Sequence, residues 1–438
     1  MRIYISTLVI CFFALTVNAQ EIYDLKRCVE TALDRNFNIR LVRNEQQIAS
    51  NNATLGNAGF LPSLDLNAGY SGTYNNPNQK FTDGSTQKNN YALNQNANLG
   101  LNLQWTIFNG FAMQTNYERL KTFERMGEIN TRLAIENLIA GLTAEYYNYV
   151  RQNIRLANLR YAVALSKERL RIVEAHYVIG SKSRLDLQQA RVDFNADSSN
   201  LIRQYETLYT SRVALNRLMA VEDVSQEITV TDSLINPDQF LQEESLWAST
   251  LKSNPLLLLS AKNQTISELD FKNLQSRNYP YLRLNAGYGY TLNTFGSGSM
   301  KQQDYLGFNY GFTLGFNIFD GFNKQREQRN AKIVIQNRKL QTEQLELSLR
   351  SDWVNMWMAY RNNLELISLE EENLETAKEN YEIAIERYKL GDLAGIELRE
   401  AQNSLLGAEE RLLQAQFNTK LCEISLLQIS GQIESYLE

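Results

Sequence analysis

Between Leu64 and Tyr70 the chain alternates: Leu64, Leu66, Ala68 and Tyr70 are apolar, while Asp65, Asn67, Gly69 and Ser71 are polar or small. The same alternation carries Leu99, Leu101, Leu103, Trp105 and Ile107. It returns in Leu282, Leu284, Ala286, Tyr288 and Tyr290, and again in Tyr310, Phe312, Leu314, Phe316 and Ile318. A period of two gives a strand with one apolar and one polar face. Strands are therefore predicted at about 62–74, 93–108, 280–292 and 305–319. Each is about as long as a tilted strand that crosses a bilayer, and aromatic residues gather in them as in a membrane-interface belt. A soluble sheet with one buried face would alternate in the same way. Four strands in two hairpins cannot close on themselves, and each unpaired backbone group in a bilayer costs several kcal/mol. Lipid-facing strands would thus require several chains to share one barrel, and three chains would supply twelve strands.

Elsewhere the apolar residues keep a period of seven. From Ile135 the series runs Leu142, Tyr149, Leu156, Val163, Leu170, Tyr177; from Trp353 it runs Tyr360, Ile367, Leu374, Tyr381, Tyr388. Shorter series follow in Leu187, Phe194, Leu201, Leu208 and Leu215, and in Leu398, Leu405 and Leu412. A strict heptad imposes a left-handed supercoil, so these segments are predicted to be coiled-coil helices. Two of them, about 111–177 and 322–388, would each be roughly 100 Å long at 1.5 Å per residue. A fibrous stalk would also show heptads, but not with strands attached.

The chain is a tandem repeat. "LPSLDLNAGY" (Leu61–Tyr70) returns as "YPYLRLNAGY" (Tyr279–Tyr288), an offset of 218. "LGLNLQWTIFNGF" (Leu99–Phe111) returns as "YGFTLGFNIFDGF" (Tyr310–Phe322), and "HYVIGSKSRLDLQQA" (His176–Ala190) as "RYKLGDLAGIELREA" (Arg387–Ala401), each at 211. The first copy thus carries seven extra residues between Tyr70 and Leu99, in a stretch with Asn75, Asn76, Pro77, Asn78, Asp83 and Gly84 that reads as a loop. Each copy has the order helix, strand, loop, strand, long helix, short turn, return helix. The first copy occupies 20–221 and the second 241–438, with a linker at 222–240. Asn109-Gly110 and Asp320-Gly321 mark the passage from strand to helix, with Asn or Asp able to cap the first amides. Pro62 and Pro280 mark the passage from helix to strand.

Composition narrows the setting. Arg2, the apolar stretch Ile3 to Val17 and the small-x-small Val17-Asn18-Ala19 read as a signal peptide over 1–19, against the alternative of an N-terminal anchor. No other run is long and apolar enough for a transmembrane helix. Cys28 and Cys422 remain after cleavage; two free buried thiols are expected, with a disulfide as the alternative. Net charge is −5 and pI near 5.4, which favours no nucleic-acid partner. Five prolines in 438 residues leave room for long unbroken helices.

Enzyme chemistry is missing. His176 is the only histidine, there is no Cys/His cluster with metal spacing, no phosphate-binding glycine loop and no nucleophile–histidine pair. "GSGS" at Gly296–Ser299 reads as a flexible loop tip, and "LEEENLE" (Leu369–Glu375) as a solvated helix face.

The ordered set of duplicated strands, "IFNGF"/"IFDGF" seams and "HYVIGSKSRLDLQQA"/"RYKLGDLAGIELREA" turns resembles the TolC-type outer-membrane efflux protein family, from about Glu21 to Gly431. The resemblance implies a mainly α chain with β. It implies a homotrimer with a twelve-stranded transmembrane β-barrel continuous with a coiled-coil α-helical barrel that extends from the outer membrane into the periplasm. It also implies an exit channel of a tripartite efflux or type I secretion system, with outer-membrane lipid, a periplasmic adaptor and an inner-membrane pump of RND or ABC type as partners. No cofactor is implied. Residues at the periplasmic entrance would be Asp186, Tyr388, Asp392, Glu397 and Glu400, each acid forming a ring of three in a trimer. The alternative is that these acids only cap helices. Leu393 stands where the best-known member has a basic gate residue, so the closing bonds would differ. The adaptor would touch the turns at Tyr177, Gly180, Arg184, Tyr388, Gly391 and Leu393, which could otherwise be plain hairpins. A trimeric adhesin and a soluble periplasmic coiled-coil scaffold are the competing readings; the short hairpin loops leave no adhesin head.

Overall fold

The computed structural model describes residues 22–437, so the expected signal peptide at 1–19 lies outside the described residues. The chain divides into two compact units. One holds 44–128 and 259–343, the other 129–258 and 344–437 with the described residues before 44.

In the first unit four strands form one antiparallel sheet. They are β2 (Ser63–Asn75), β5 (Ala92–Asn109), β7 (Tyr281–Thr294) and β8 (Gln302–Gly315), in the order β2-β5-β7-β8. The hairpins of the two repeats are therefore joined by pairing between β5 and β7, and among the described residues the outer edges of β2 and β8 have no partner strand. The apolar face is open: Leu64, Leu66, Tyr70, Phe312 and Leu314 all rank among the exposed large hydrophobic residues. Such a patch, together with two bare edges, is unfavourable in water and marks an unfinished wall.

Three details differ from the expectation. The loop of the first hairpin carries a small ribbon, β3 (Asn78–Lys80) paired with β4 (Thr86–Lys88), whose tip is an Asp83–Ser85 turn with Gly84 at φ 86°. Strand β8 ends at Gly315 rather than 319, so Phe316 and Ile318 lie beyond the ladder. Strand β5 has a register shift between Thr106 and Phe108, and Phe108 rather than Ile107 pairs with Leu282. A bulge bends and twists a strand, and here it comes just before the strand turns into a helix.

That turn is built alike in both copies. Asn109 Oδ1 accepts from the Met113 amide (3.1 Å), and Asp320 Oδ2 from the Lys324 amide (2.9 Å). Gly110 and Phe111 both have φ 70°, as Gly321 (71°) and Phe322 (64°) do. A phenylalanine in the left-handed region is strained. Each is held edge-on by another ring: Phe108 on Phe111 at 5.2 Å, Phe319 on Phe322 at 5.4 Å.

The remaining elements are mainly helical, and 55–58 and parts of the long helices belong to the first unit. A two-residue strand β1 (Ile22–Tyr23) precedes α1 (Leu25–Arg35), which is followed by α2 (Phe37–Asn52) and the short α3 (Leu55–Ala58). Helix α4 (Ala112–Val178) is followed by its return helix α5 (Arg184–Leu218). The second repeat contributes α6 (Glu243–Ser253), α7 (Pro255–Ser276), α8 (Asn323–Lys389) and the return helix α9 (Gly395–Ile429). Helices α4 and α8 each have 67 residues, which at 1.5 Å per residue makes them about 100 Å long. None of the described helices is long and apolar enough to cross a membrane.

Asparagines 218 apart break α1 from α2 and α6 from α7. Asn36 Oδ1 accepts from the Asn38 amide (2.9 Å) and its Nδ2 donates to the Leu218 carbonyl (3.0 Å). Asn254 Oδ1 accepts from the Leu256 amide (2.9 Å) and its Nδ2 donates to the Ile429 carbonyl (2.9 Å). Each side chain thus caps one helix start and ties it to the end of its own repeat's return helix.

The linker is more ordered than composition suggests. Its β6 (Thr229–Val230) pairs in parallel with β1. Asp238, near its end, donates its amide to Glu423 Oε2 (2.9 Å) and accepts from the Tyr360 hydroxyl. Cys28 and Cys422 are free and buried. Burial, with Asp24 adding to it, pushes the Cys28 thiol up to about 12. The thiolate is the reactive form. A maleimide at neutral pH is therefore expected to leave Cys28 unmodified in the folded protein and to modify it in denaturant, read by mass spectrometry.

Candidate periplasmic entrance at the helical turns

The turns between α4 and α5 and between α8 and α9 share one hydrogen-bond plan. The Ser181 amide donates to the His176 carbonyl and the Asp392 amide to the Arg387 carbonyl, both at 2.9 Å. Gly180 (φ 78°) and Gly391 (φ 82°) occupy the left-handed position that ends a helix this way. His176 also braces its turn through Nδ1 and Ser181 Oγ (2.9 Å), whereas Arg387 reaches Asp392 Oδ2 at 3.4 Å. The lone histidine and its counterpart arginine therefore do the same local job.

Two of the expected entrance acids begin their return helices as caps. Asp186 accepts from the Ser183 hydroxyl (2.7 Å) and amide (3.0 Å), while the Asp186 amide donates back to Ser183 Oγ (3.2 Å). These bonds hold the Asp186 carboxyl below its ordinary range. Glu397 accepts from the Ala394 amide (3.1 Å), but alanine has no side-chain oxygen to return the bond. Glu400 is exposed. Asp392 is exposed and engaged with Arg387. Tyr388 is not displayed: it is 4% exposed and packs with Val173, Leu187 and Leu398. Burial pushes its hydroxyl pKa up. Its heptad counterpart Tyr177 is 40% exposed, so the two copies diverge here. Arg184, Gly180 and Gly391 are exposed, and Leu393 is half-buried.

Above the turns lies a polar group outside the apolar heptad series. Arg399 makes a two-pronged ion pair with Asp197, Nη1–Oδ2 at 2.6 Å and Nη2–Oδ1 at 2.8 Å. Asp197 also accepts from the Ser166 hydroxyl, and Gln402 donates to Ser166 Oγ (3.3 Å). One step away Arg169 pairs with Asp193. Asp197 is 5% exposed and Arg169 3%. A second heptad series contained the signal: Ala190, Asp197, Gln204 and Ser211 are all buried, and three of the four are polar. Their counterparts in the second repeat, Ala401, Ala408, Ala415 and Cys422, are small and buried.

Between the turns is a cleft of about 350 Å³, lined among others by Arg169, Lys182, Leu185, Asp186, Tyr388 and Ile396. Among the described residues there is no group of His, Cys, Asp and Glu that could hold a metal ion.

This architecture has close counterparts. A solved structure of CusC, described in terms of folding and transmembrane channel formation, is 18% identical and superposes with a TM-score of 0.76 over 95% of this chain and 92% of its own. The CmeC outer membrane channel of Campylobacter jejuni is 17% identical with a TM-score of 0.76, over 93% of this chain and 85% of its own. The outer membrane efflux protein BepC of Brucella suis is 19% identical over 388 residues, 88% of this chain and 80% of BepC. The family described as outer membrane efflux protein matches residues 28–221 and again 246–432, once for each repeat. The chain belongs to the outer membrane efflux protein family, whose members are outer-membrane channels rather than enzymes.

Proposed function

We propose that three copies of this chain close a twelve-stranded barrel in the outer membrane and continue it as a helical tunnel into the periplasm. The tunnel is the exit channel of a tripartite efflux or type I secretion system. One observation carries the reading: a single chain has a four-stranded sheet with an exposed apolar face and two unpaired edges. In a bilayer both edges need partners, and β8 of one copy beside β2 of the next supplies them. The open state of the related channel MtrE of Neisseria gonorrhoeae, with a TM-score of 0.69, is consistent with a tube that opens and shuts.

Glu397 and Glu400, in the first two turns of α9, are the entrance acids in this proposal, with Asp186 and Asp392 near them. Tyr388 supports the wall from inside. The turns at Tyr177, Gly180, Arg184, Gly391 and Leu393 receive the periplasmic adaptor, which links the channel to an inner-membrane pump of RND or ABC type. Rings of carboxylates at a constriction draw cations and repel anions.

Purified protein in planar bilayers is expected to form cation-preferring pores. In E397Q/E400Q the ratio of potassium to chloride permeability should fall by about threefold or more, because six of the entrance charges are gone. Pores with unchanged ion preference would remove these two residues from the entrance, and failure to form pores at all would refute the channel.

A further inference from the structure

We propose that the cleft between the two helical turns of one protomer binds a small organic carboxylate with an apolar body. The site lies within a single chain, so it stands or falls independently of the channel reading above.

The cleft measures about 350 Å³. That is at the small end of the roughly 300–1,000 Å³ that small-molecule sites occupy. Val173, Ala190 and Tyr388 form a buried part of its wall. Leu185 and Ile396 also line it, and both are exposed. These two are equivalents in the two repeats, each at the second position of its return helix. Each repeat therefore gives the same cleft one apolar side chain that the protein itself leaves in water.

The charged groups of the wall are unevenly matched. Its acids are engaged: Asp186 by Ser183, and Asp193 by Arg169 and by Gln189 Nε2 at 3.0 Å. Arg399 is neutralised by the fork to Asp197. The other cations have capacity to spare. Arg169 is 3% exposed and uses Nη2 for Asp193, but among the described residues its Nε and Nη1 have no hydrogen-bond partner. Lys182 joins no ion pair among the described residues, and its Nζ lies 5.8 Å from the centroid of the Tyr388 ring.

A buried donor without an acceptor is costly, and more so when it carries charge. What the cleft lacks is thus acceptor oxygen and negative charge. A carboxylate supplies both, because its two oxygens match the planar spacing of guanidinium donors. The apolar body would cover Leu185 and Ile396. An inorganic anion would leave those two in water, and a neutral molecule would leave Arg169 unmatched.

Equilibrium dialysis of the full assembled protein, with equal detergent on both sides, tests this with 2-naphthoate as the probe. One saturable site per chain is expected, with a Kd of about 1 mM or tighter. The neutral isostere 2-naphthamide and inorganic sulfate should each bind at least tenfold more weakly. R169Q/D193N removes the ion pair as a unit and should weaken naphthoate by tenfold or more, with naphthamide unchanged within about twofold. K182Q changes a half-buried side chain outside the core and should weaken naphthoate about threefold; it decides the matter if the double variant does not fold. No saturable naphthoate binding, equal affinity for naphthamide or for sulfate, or unchanged naphthoate binding in K182Q would each overturn the proposal.

Discussion

Gly110→Ala is expected to abolish assembly of the folded channel, while Gly321→Ala at the equivalent position is tolerated. Both glycines sit at the strand-to-helix seam with φ near +70°. For alanine that conformation alone costs on the order of 1 kcal/mol. The surroundings differ. A Cβ on Gly110 would lie 2.2 Å from the Ser276 carbonyl oxygen and 2.9 Å from Tyr279 Cβ. The obstacle is backbone at the end of α7, which cannot step aside without moving the start of β7. A Cβ on Gly321 would meet nothing nearer than Asn323 Nδ2 at 3.6 Å. Overpacking against fixed atoms adds about 1–3 kcal/mol, so the first variant loses roughly 2–4 kcal/mol per copy and the second only the strain. Heat-modifiable migration of outer-membrane extracts on gels separates the outcomes. Equal amounts of folded oligomer in the two variants would show that the α7 backbone does yield.

Glu423→Ala should be the most destabilising single change in the helical unit. Glu423 is 3% exposed and Lys420 5%. Glu423 Oε1 accepts from Lys420 Nζ (2.8 Å) and from the Tyr436 hydroxyl (2.5 Å), and Oε2 from the Asp238 amide. Lys420 Nζ lies 5.0 Å from the Tyr147 ring centroid and 5.1 Å from that of Tyr436. One carboxylate therefore holds together the linker, α9 and the final 3-10 turn (Ile433–Leu437). Removing it leaves a buried ammonium without its counterion and two donors without acceptors, a loss of about 3–5 kcal/mol. Glu423→Gln keeps the acceptor oxygen and should lose about half as much. Denaturant midpoints in detergent give the comparison, and an alanine variant as stable as the glutamine one would show that water replaces the carboxylate.

Much of this fold was legible in the sequence because its periods are long and repeated. Alternation over Leu99–Trp105 admits one strand face, and heptads that agree between Leu142 and Trp353 admit one helix register. What escaped was set by contacts between distant segments. The bulge at Ile107 depends on how β5 meets β7. Pairing of β1 with β6 joins residues about 200 apart in sequence, and two-residue strands have no period to read. At the turns between the long and return helices the glycines and capping acids were visible from local spacing. Tyr388 was expected at the aperture and instead packs inside the protomer, since a heptad position says that a residue is inward-facing but not whether the interior is a lumen or a core. Asp197 was missed for the converse reason. It occupies a core position, and its partner Arg399 lies 202 residues away in the other repeat.

The stoichiometry of the purified protein tests most directly whether one chain is only a fraction of the wall. Native mass spectrometry from detergent should give a single assembly of three mature chains. After detergent is removed without lipid, that species should be replaced by aggregate. A monodisperse folded monomer in plain buffer, with Leu66, Leu101 and Phe312 shielded from hydrogen exchange, would contradict the account.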